Sequence, residues 1–346
     1  MKLLLFRLDN IGDLVCTTPL IDLLRQYYPM ARLDIVVNTY NVDIIKNNPA
    51  INHYYVYKKS SHSSSLRKKL KAFFYRLVLI FRFRFIQYDY AIIPGMNSAK
   101  ALRWAKACRI KQLVYLRNNK EYDNLHEVVR AAAVVKELGI NSPPGKLRLY
   151  PEPLLQKKIW QRYFLNISAA GEKKTFSDRT KSAASKENIL LAIHISSRLP
   201  QNRWPKEYFI ELIKSLSQRP NFQLVLLWSP GSHNEKVHPG DDEKAQQIIA
   251  ACPSPNLIPV VTNKVEELVA VLSQCDGIIC GDGGAMHIAA ALVKFMVVIF
   301  GKTNPAIWHP WMKNYCLLQS ESKRAADVSV KEVLEAVARV NTSKFS

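Results

Sequence analysis

The sequence predicts an α/β protein with two doubly wound, Rossmann-like domains in tandem. Short runs rich in Leu, Ile and Val alternate with amphipathic stretches along most of the 346 residues, as in β-α units around a parallel sheet. Prolines at 143, 144, 151 and 153 interrupt the first series, and a second series begins at Ile189. With 48% hydrophobic residues, the chain is long enough for two separate cores.

The interruptions set the predicted domain boundaries. We place a first domain at 1–167, a linker at 168–188, a second domain at 189–328 and a closing helix within 329–346. The linker is predicted because residues 168–188 are small, polar and aperiodic.

The individual elements follow from the same periodicities. Predicted strands of the first domain are Lys2–Leu8, Leu33–Asn38, Tyr54–Tyr57, Tyr90–Pro94 and Gln112–Leu116, with helices at Leu14–Tyr28, Ala99–Cys108 and Asn124–Leu138. Predicted strands of the second domain are Ile189–Ile195, Gln223–Leu227, Gly277–Cys280 and Met296–Phe300. Its helices are Lys206–Ser217, Asp242–Ala251, Val265–Ser273, Ala285–Leu292 and the closing Val330–Val340.

The charge balance points to an anionic partner. There are 49 Lys and Arg against 28 Asp and Glu, a formal charge of +21, which suits nucleic acid, an acidic membrane or a phosphorylated substrate. The six cysteines form no zinc-type spacing, so we expect buried free thiols, no metal and a reducing compartment. Arg7 and Asp9 interrupt the apolar start, and no uncharged run could span a bilayer, so we expect a cytoplasmic protein.

The most basic part of the chain is acid-free. No Asp or Glu occurs between Asp43 and Asp89, whereas ten Lys or Arg do. As a helix, residues 66–86 would align Phe73, Phe81 and Phe85 beside arginines, which predicts either a helix lying on an anionic membrane or a core helix with a basic solvent face. No base-reading motif accompanies these residues, so we expect no nucleic-acid partner.

The turn after the first strand carries a candidate catalytic carboxylate. Asn10 and Gly12 suit a tight turn, and Asp13 follows where a helix begins. Asp13 is either the N-cap of that helix or an exposed general base for a hydroxyl. The residues alone favour the cap, and the absence of G-x-G-x-x-G disfavours a nicotinamide site.

Two segments of the second domain are candidates for anion binding. After strand Ile189–Ile195, hydroxyls of Ser196 and Ser197 can donate to phosphate oxygens, and Arg198 or Arg203 can neutralise charge, although an ordinary loop is equally compatible. A strand also leads into Gly281-Asp282-Gly283-Gly284 and then a helix containing His287, typical of a phosphate cradle at a helix N-terminus.

In that cradle Asp282 is a poor phosphate ligand and is interpreted as a sugar-hydroxyl acceptor, whereas His287 can donate to phosphate or ribose. A further acidic pair, Asp241 and Asp242, opens a helix after another strand. One of these carboxylates either caps the helix or binds ribose hydroxyls.

Together these segments resemble glycosyltransferase family 9, the ADP-heptose:lipopolysaccharide heptosyltransferases. The resemblance rests on Arg7-Leu8-Asp9-Asn10-Ile11-Gly12-Asp13 with Thr17-Thr18-Pro19, on Arg203-Trp204-Pro205 with Tyr208-Phe209, and on Gly281-Asp282-Gly283-Gly284 through Ala290 with Phe300-Gly301-Lys302-Thr303-Asn304-Pro305. These motifs stand in the family's order along nearly the whole chain.

The resemblance implies a GT-B architecture of two Rossmann-like domains facing a central cleft, with the closing helix packed on the first domain. It implies inverting, metal-independent transfer of heptose from ADP-heptose to a lipopolysaccharide inner-core acceptor, without a cofactor. Asp13 would be the general base, Arg203 a second catalytic residue, and Asn10 and Gly12 acceptor ligands. The donor residues would be Ser196, Ser197, Arg198, Asp242, Asp282, Gly283, Gly284 and His287.

Two residues depart from the family's pattern. The position two residues before Trp204-Pro205 often holds Lys, to stabilise the departing phosphate, but here it is Asn202. Gly283 replaces a hydroxyl residue of the donor signature. We therefore keep as alternatives another nucleotide-sugar or acceptor, and a non-catalytic membrane or nucleic-acid binder on a decayed transferase fold. We expect a monomer at the inner face of the cytoplasmic membrane, contacting anionic lipid through residues 66–86.

Overall fold

The computed structural model describes residues 1–57, 66–95, 99–117, 120–165, 189–234 and 239–342. The chain divides into two compact units, Met1–Tyr150 and Pro151–Ser346. Each unit contains one sheet whose strands are all parallel, which confirms the predicted α/β class.

The first unit contains a five-stranded sheet in the order β3-β2-β1-β4-β5. Its strands are β1 Lys2–Phe6, β2 Arg32–Asn38, β3 His53–Tyr57, β4 Tyr90–Ile93 and β5 Gln112–Tyr115. The helices are α1 Ile11–Cys16, α2 Thr18–Tyr27, α3 Leu66–Ile86, α4 Ala99–Ala107 and α5 Glu127–Ala133, the last continued by a 3-10 turn at Val134–Leu138.

The second unit contains a six-stranded sheet in the order β11-β10-β9-β6-β7-β8. Its strands are β6 Ile189–His194, β7 Phe222–Trp228, β8 Leu257–Val261, β9 Gly277–Gly281, β10 Phe295–Phe300 and β11 Tyr315–Gln319. The helices are α6 Pro153–Ile159, α7 Lys206–Ser217, α8 Asp242–Ala251, α9 Val265–Gln274, α10 Gly284–Ala291, α11 Pro305–Trp308 and α12 Val330–Thr342.

Both sheets share one topological feature that positions the candidate sites. In each, the first strand lies next to the fourth as well as the second, so the strand order reverses between β1 and β4, and between β6 and β9. Ligands of doubly wound sheets bind outside the carboxyl ends of the strands at this reversal. The turns after β1 and β9 hold the two strongest sequence motifs.

The predicted helix Leu14–Tyr28 is two helices in the structure. The break falls at Thr17, between α1 and α2, because Pro19 lacks an N–H for the helical ladder. The hydroxyls of Thr17 and Thr18 donate to the carbonyls of Asp13 and Val15, at 2.8 Å each, and satisfy these groups at the junction.

The end of the first domain was predicted too late in the sequence. The boundary lies at Tyr150 rather than 167, and α6 packs on α9, where Gln156 Nε2 donates to Ser273 Oγ at 2.7 Å. Pro151 thus begins the second unit, and Pro153 is the first residue of α6. The predicted linker, 168–188, lies outside the described residues.

The closing helix packs within the second unit, and its predicted contact with the first domain stays a prediction. The apolar face of α12 (Val333, Ala336, Val337 and Val340) is buried in the core of the second unit, where the helix contacts α7, β10 and β11.

Candidate active site

The turn after β1 is fixed by asparagines that sequence reasoning did not single out. Asn38, the last residue of β2, donates through Nδ2 to the carbonyls of Leu8 and Asp9 at 2.9 and 2.7 Å. Asn41 Nδ2 lies 3.3 Å from the carbonyl oxygen of Arg7. The sequence feature that could have indicated this role is a polar residue, Asn38, at the end of the strand that pairs with β1.

A buried arginine organises the same turn. The Arg7 side chain is 0% exposed, and its Nη2 contacts Glu127 Oε1 and lies 3.3 Å from Asp13 Oδ1. Its Nη1 lies 3.6 Å from Asp9 Oδ2. Burial opposes the guanidinium charge, but Glu127, Asp13 and Asp9 together raise the pKa of Arg7 above its ordinary value.

Asp13 is not the N-cap of α1. Asn10 occupies that position, and Asp13 stands at the third residue of the helix, where its Oδ2 accepts from the backbone N–H of Asn10 at 3.0 Å. With Oδ1 facing Arg7, both carboxylate oxygens are oriented, while the side chain stays 17% exposed. Such a carboxylate can accept a proton from a hydroxyl at the carboxyl edge of the sheet.

The two predicted acceptor ligands, Asn10 and Gly12, both precede this carboxylate on the chain. Asn10 is exposed, whereas Gly12 is buried within α1. Gly95, after β4, closes the turn on the other side, because a β-carbon there would lie 2.7 Å from Asp9 Oδ2.

Glu127 contacts this turn but could not be found from the sequence, because it lies far from the turn along the chain. It stands in the first turn of α5, is 1% exposed, and contacts both Arg7 and Arg130, with Arg130 Nε at 2.9 Å. Asp13, Arg7, Glu127 and Arg130 thus form a chain of alternating charges. The carboxylate of Glu127 contacts two guanidinium groups, those of Arg7 and Arg130. The guanidinium of Arg7 is in turn attracted by two carboxylates, those of Glu127 and Asp13.

The Gly-rich turn of the second unit runs from β9 directly into α10, as predicted. Gly283 is exposed at the N-cap of α10, and a β-carbon there would meet nothing within 4 Å. The N–H groups of the first turn of a helix have no partner within the helix, and here they follow the strand at which the strand order reverses. This is the place in the fold where an anion is commonly bound.

Asp282 is held by two neighbours in what we call the Asp282 cluster (Asn202, Asp282 and Thr303). Thr303 Oγ1 donates to Asp282 Oδ2 at 2.7 Å, and Asn202 Nδ2 lies 3.2 Å from the same oxygen. Oδ1 accepts no hydrogen bond from any residue that the structure describes. Burial raises the pKa of Asp282, while the Thr303 hydrogen bond and Arg198 lower it.

Asn202, the departure from the family pattern, is the centre of this cluster. It is 3% exposed, donates to Thr303 Oγ1 at 2.9 Å, and accepts from the Lys302 N–H at 3.0 Å. A β-carbon at Gly301 would lie 2.5 Å from its Oδ1. Asn202 therefore joins the loop after β6 to the loop after β10, a role that a long cationic side chain could not fill.

The loop after β6 brings the predicted serines and arginines to the Gly-rich turn. Ser196 Oγ accepts from the Ser229 N–H at 2.9 Å, and the Ser197 carbonyl accepts from Arg203 Nε at 3.0 Å. Gly281 lies against this loop, since its β-carbon would stand 3.9 Å from Ser197 Cβ. The Nη atoms of Arg203 make no hydrogen bond or ion pair within the described parts of the chain, so they can bind an anion.

Two predicted donor residues have packing roles in the structure. His287 is 2% exposed and lies edge-on to Trp308, with the ring centroids 5.8 Å apart. Asp242 does not cap α8. Its two oxygens accept from Trp228 Nε1 at 2.7 Å and from the Gly231 N–H at 2.9 Å, which closes the loop before the helix. Asp241 occupies the N-cap position of α8, although its side chain makes no capping hydrogen bond. The ribose contact of either carboxylate stays a prediction.

Lys244, on α8, is a cation beside the loop after β6, and the sequence analysis did not single it out. Its Nζ donates to the carbonyls of Ile195 and Trp204 at 3.1 Å each and lies 4.6 Å from the centre of the Phe209 ring. Burial lowers its pKa to about 8. Lys244 thus ties together the two ends of the loop that carries Ser196, Ser197 and Arg203.

The last residue of β6, His194, predicts a pH dependence of folding. Burial lowers the pKa of His194 to about 4, from an ordinary value near 6.5. Between these values the unfolded chain binds more protons than the folded chain, so stability falls as the pH drops from 6.5 to 4. Through this window the wild type should lose unfolding free energy on the order of 3 kcal/mol, and His194→Gln should not show this loss. Urea unfolding of both proteins at pH 7 and pH 4.5 measures the difference. An identical pH slope for both would contradict the assignment.

The described residues contain no group of three or more His, Cys, Asp or Glu that could hold a metal ion. All six cysteines are free, and five of them are buried, which confirms the prediction for the thiols. Among the helices that the structure describes, none has the length and apolar character needed to cross a membrane.

Comparison with known proteins identifies the class. The family model for glycosyltransferase family 9 (heptosyltransferase) matches residues 91–338, more than half of the chain. Lipopolysaccharide heptosyltransferase 3 of Escherichia coli K12 is 24% identical over 318 residues, covering 88% of this chain and 83% of that protein. Lipopolysaccharide heptosyltransferase 1 of the same strain is 21% identical, with coverages of 97% and 98%.

Solved structures agree on the fold. Escherichia coli ADP-heptose LPS heptosyltransferase II superposes with a TM-score of 0.75 at 18% identity, covering 100% of both chains. The family 9 glycosyl transferase from Veillonella parvula gives 0.77 at 17% identity, covering 99% of this chain and 97% of that one. The chain is thus a glycosyltransferase with the GT-B fold class, as expected. It belongs to glycosyltransferase family 9, the heptosyltransferase family.

Proposed function

We propose that this glycosyltransferase moves heptose from ADP-heptose to a phosphorylated inner-core acceptor of lipopolysaccharide, with inversion at the anomeric carbon and without a metal. The Asp282 cluster beside the exposed N-terminus of α10 is the observation that carries the proposal. It sets a hydroxyl acceptor next to an anion site, as a sugar joined to a diphosphate requires. The heptosyltransferases among the relatives support the choice of sugar.

In the proposed donor site, the diphosphate lies at the N–H groups of Gly283 and Gly284, with Ser196 and Ser197 donating hydroxyl bonds. Arg203 and Arg198 neutralise its charge. The Oδ1 atom of Asp282 accepts a hydroxyl of the sugar. Asp242 and His287 complete the proposed donor set, and each also has a contact within the protein, Asp242 with Trp228 and His287 with Trp308.

In the proposed reaction, Asp13 takes the proton of an acceptor hydroxyl held near Asn10 and Gly12. The hydroxyl oxygen attacks the anomeric carbon of heptose from the face opposite the diphosphate. The bond from that carbon to the phosphate oxygen breaks, and ADP leaves with the electron pair. Arg203 offsets the negative charge that develops on the departing oxygen.

The finer statements on location belong to the same proposal. A lipid-anchored acceptor places the enzyme at the cytoplasmic face of the inner membrane, as a peripheral protein. The excess of positive charge supports this placement, because both the acceptor and the lipid surface are anionic. We propose a monomer that binds no nucleic acid.

Nucleotide binding tests the donor assignment. We expect ADP at about 100 times its dissociation constant to stabilise the protein by ~2.7 kcal/mol, whereas UDP and GDP at the same concentration shift the melting temperature less. Differential scanning fluorimetry measures these shifts, and a donor screen on truncated lipopolysaccharide, read by mass spectrometry, measures transfer. Equal shifts for the three nucleotides, or transfer from another sugar donor, would support the alternative donor.

A further inference from the structure

Helix α3 (Leu66–Ile86) has two apolar faces on opposite sides. Ala72, Leu79 and Phe83 are buried against the first unit, where the Phe83 ring packs edge-on against Tyr55 at 4.7 Å. This face explains why the helix folds onto the sheet. It accounts for only part of the apolar surface of the helix.

The other face is exposed and consists of large side chains. Its members, which we call the α3 apolar face, are Leu70, Phe73, Phe74, Val78, Phe81 and Phe85, exposed by 49, 51, 61, 61, 64 and 91%. At 100° per residue these six positions fall within an arc of about 140° centred opposite the buried face. All six side chains lie on one side of one helix, which distinguishes this surface from singly scattered exposed apolar residues.

Cations lie within and beside the α3 apolar face. By the same angular count Arg67 and Arg84 fall within the arc, with the Arg84 guanidinium 5.8 Å from the centre of the Phe81 ring, and the exposed Lys71 lies about 20° beyond it. The sequence from 44 to 88 contains no carboxylate to neutralise them. A partner protein would need a surface that is both apolar and acidic. An anionic bilayer has both properties, because its acyl chains begin directly below its charged headgroups, within reach of a helix lying at the surface.

A basic cavity lies next to this face. Arg82 of α3 lines it with Arg25, Arg32 and His53, around a volume of about 550 Å³, and no Asp or Glu is among the lining residues. Arg25 is held by backbone carbonyls and Arg32 by Asp34, so both guanidinium groups are fixed in place. The positive charge of the lining attracts an anionic headgroup to this cavity.

We propose that the α3 apolar face inserts into the headgroup zone of an anionic membrane, with its cations and the Arg82 cavity on lipid phosphates. This inference rests on the proposed function for its location and names the surface that does the binding. Aromatic rings lie in the acyl boundary, and the long basic side chains extend to the phosphates. Binding therefore has an apolar part that salt does not screen and an electrostatic part that it does.

Vesicle flotation with the full chain tests the inference. We compare wild type, Phe74→Ser/Phe81→Ser/Phe85→Ser, and the matched control Leu154→Ser/Leu165→Ser/Val293→Ser, which removes three other side chains exposed by 68, 50 and 72%. Vesicles are phosphatidylcholine alone or with phosphatidylglycerol, at low salt and at 0.5 M NaCl. We expect at least tenfold weaker binding to the anionic vesicles for the α3 variant and unchanged binding for the control.

Three results would overturn the inference. If the α3 variant binds vesicles as well as wild type does, the α3 apolar face does not insert into the membrane. If salt abolishes the binding but the Phe→Ser changes do not weaken it, the protein is adsorbed by charge alone, as a basic protein is on any polyanion such as nucleic acid. Self-association in sedimentation velocity that the α3 variant loses, without vesicle binding, would assign the face to a second copy of the chain. The assay uses no donor, so failed transfer with intact flotation contradicts only the proposed function.

Discussion

Asp13→Asn should reduce transfer by at least 10³-fold while leaving nucleotide binding unchanged. Asparagine keeps the shape of the side chain and can still accept from the Asn10 N–H, but it cannot take a proton at neutral pH. The proposed donor residues belong to the second unit, whereas this carboxylate belongs to the first, so we expect their geometry to be unchanged. Single-turnover measurements with ADP-heptose and truncated lipopolysaccharide give the rate, and ADP melting shifts report the donor site.

A neighbouring carboxylate provides the control for Asp13. Asp9 also faces Arg7, at 3.6 Å, and is 29% exposed, so Asp9→Asn removes the same charge from the same network. If Asp13 acts as the base, Asp9→Asn retains most of the activity. Similar losses for both variants would instead indicate that the net charge around Arg7 matters, and retained turnover in Asp13→Asn would exclude the base.

Asn202→Lys should lower both stability and transfer, although it restores the residue common in the family. The amide of Asn202 donates to Asp282 and Thr303 and accepts from the Lys302 N–H, and an ammonium group can only donate. At least one buried polar group loses its partner, so we expect a loss of about 3 kcal/mol in unfolding free energy. Transfer should fall at least 100-fold, because Asp282 loses its fixed position.

The control for Asn202→Lys places the same charge one residue earlier. Gln201 is exposed, so Gln201→Lys adds a cation to the same loop without disturbing the Asp282 cluster. Urea unfolding and steady-state transfer are measured for both variants. Higher turnover in Asn202→Lys at unchanged stability would mean that position 202 faces the departing phosphate, and that Asn202 weakens the enzyme.

Regular elements were predictable where periodicity and burial agree. Helices Lys206–Ser217 and Asp242–Ala251 have the predicted bounds. Strand β8 was missed because Pro259 interrupts its apolar run. β8 is an edge strand, where one side of the backbone pairs with no neighbour and a proline is tolerated. Edge strand β11, half-buried along its whole length, was missed as well.

The candidate site was predictable only where its residues follow one another. The Gly281–Gly284 turn and the Asp13 turn were found because strand, turn and helix are continuous in sequence. Glu127 stands 120 residues from Arg7, and Thr303 stands 21 from Asp282, so only the folded backbone brings them together. For Asp242, the same local reasoning overlooked a loop whose closure needs both carboxylate oxygens.

The distance between Arg7 and Glu127 also has a consequence during synthesis of the protein. All five strands of the first sheet have left the ribosome once Tyr115 has, but the carboxylate that compensates the buried guanidinium comes 12 residues later. Until then a completed sheet would enclose an incompletely neutralised charge, which is strongly unfavourable. We therefore expect the turn after β1 to remain unfolded in the nascent first domain until α5 emerges, so that this turn is the last part of the domain to form.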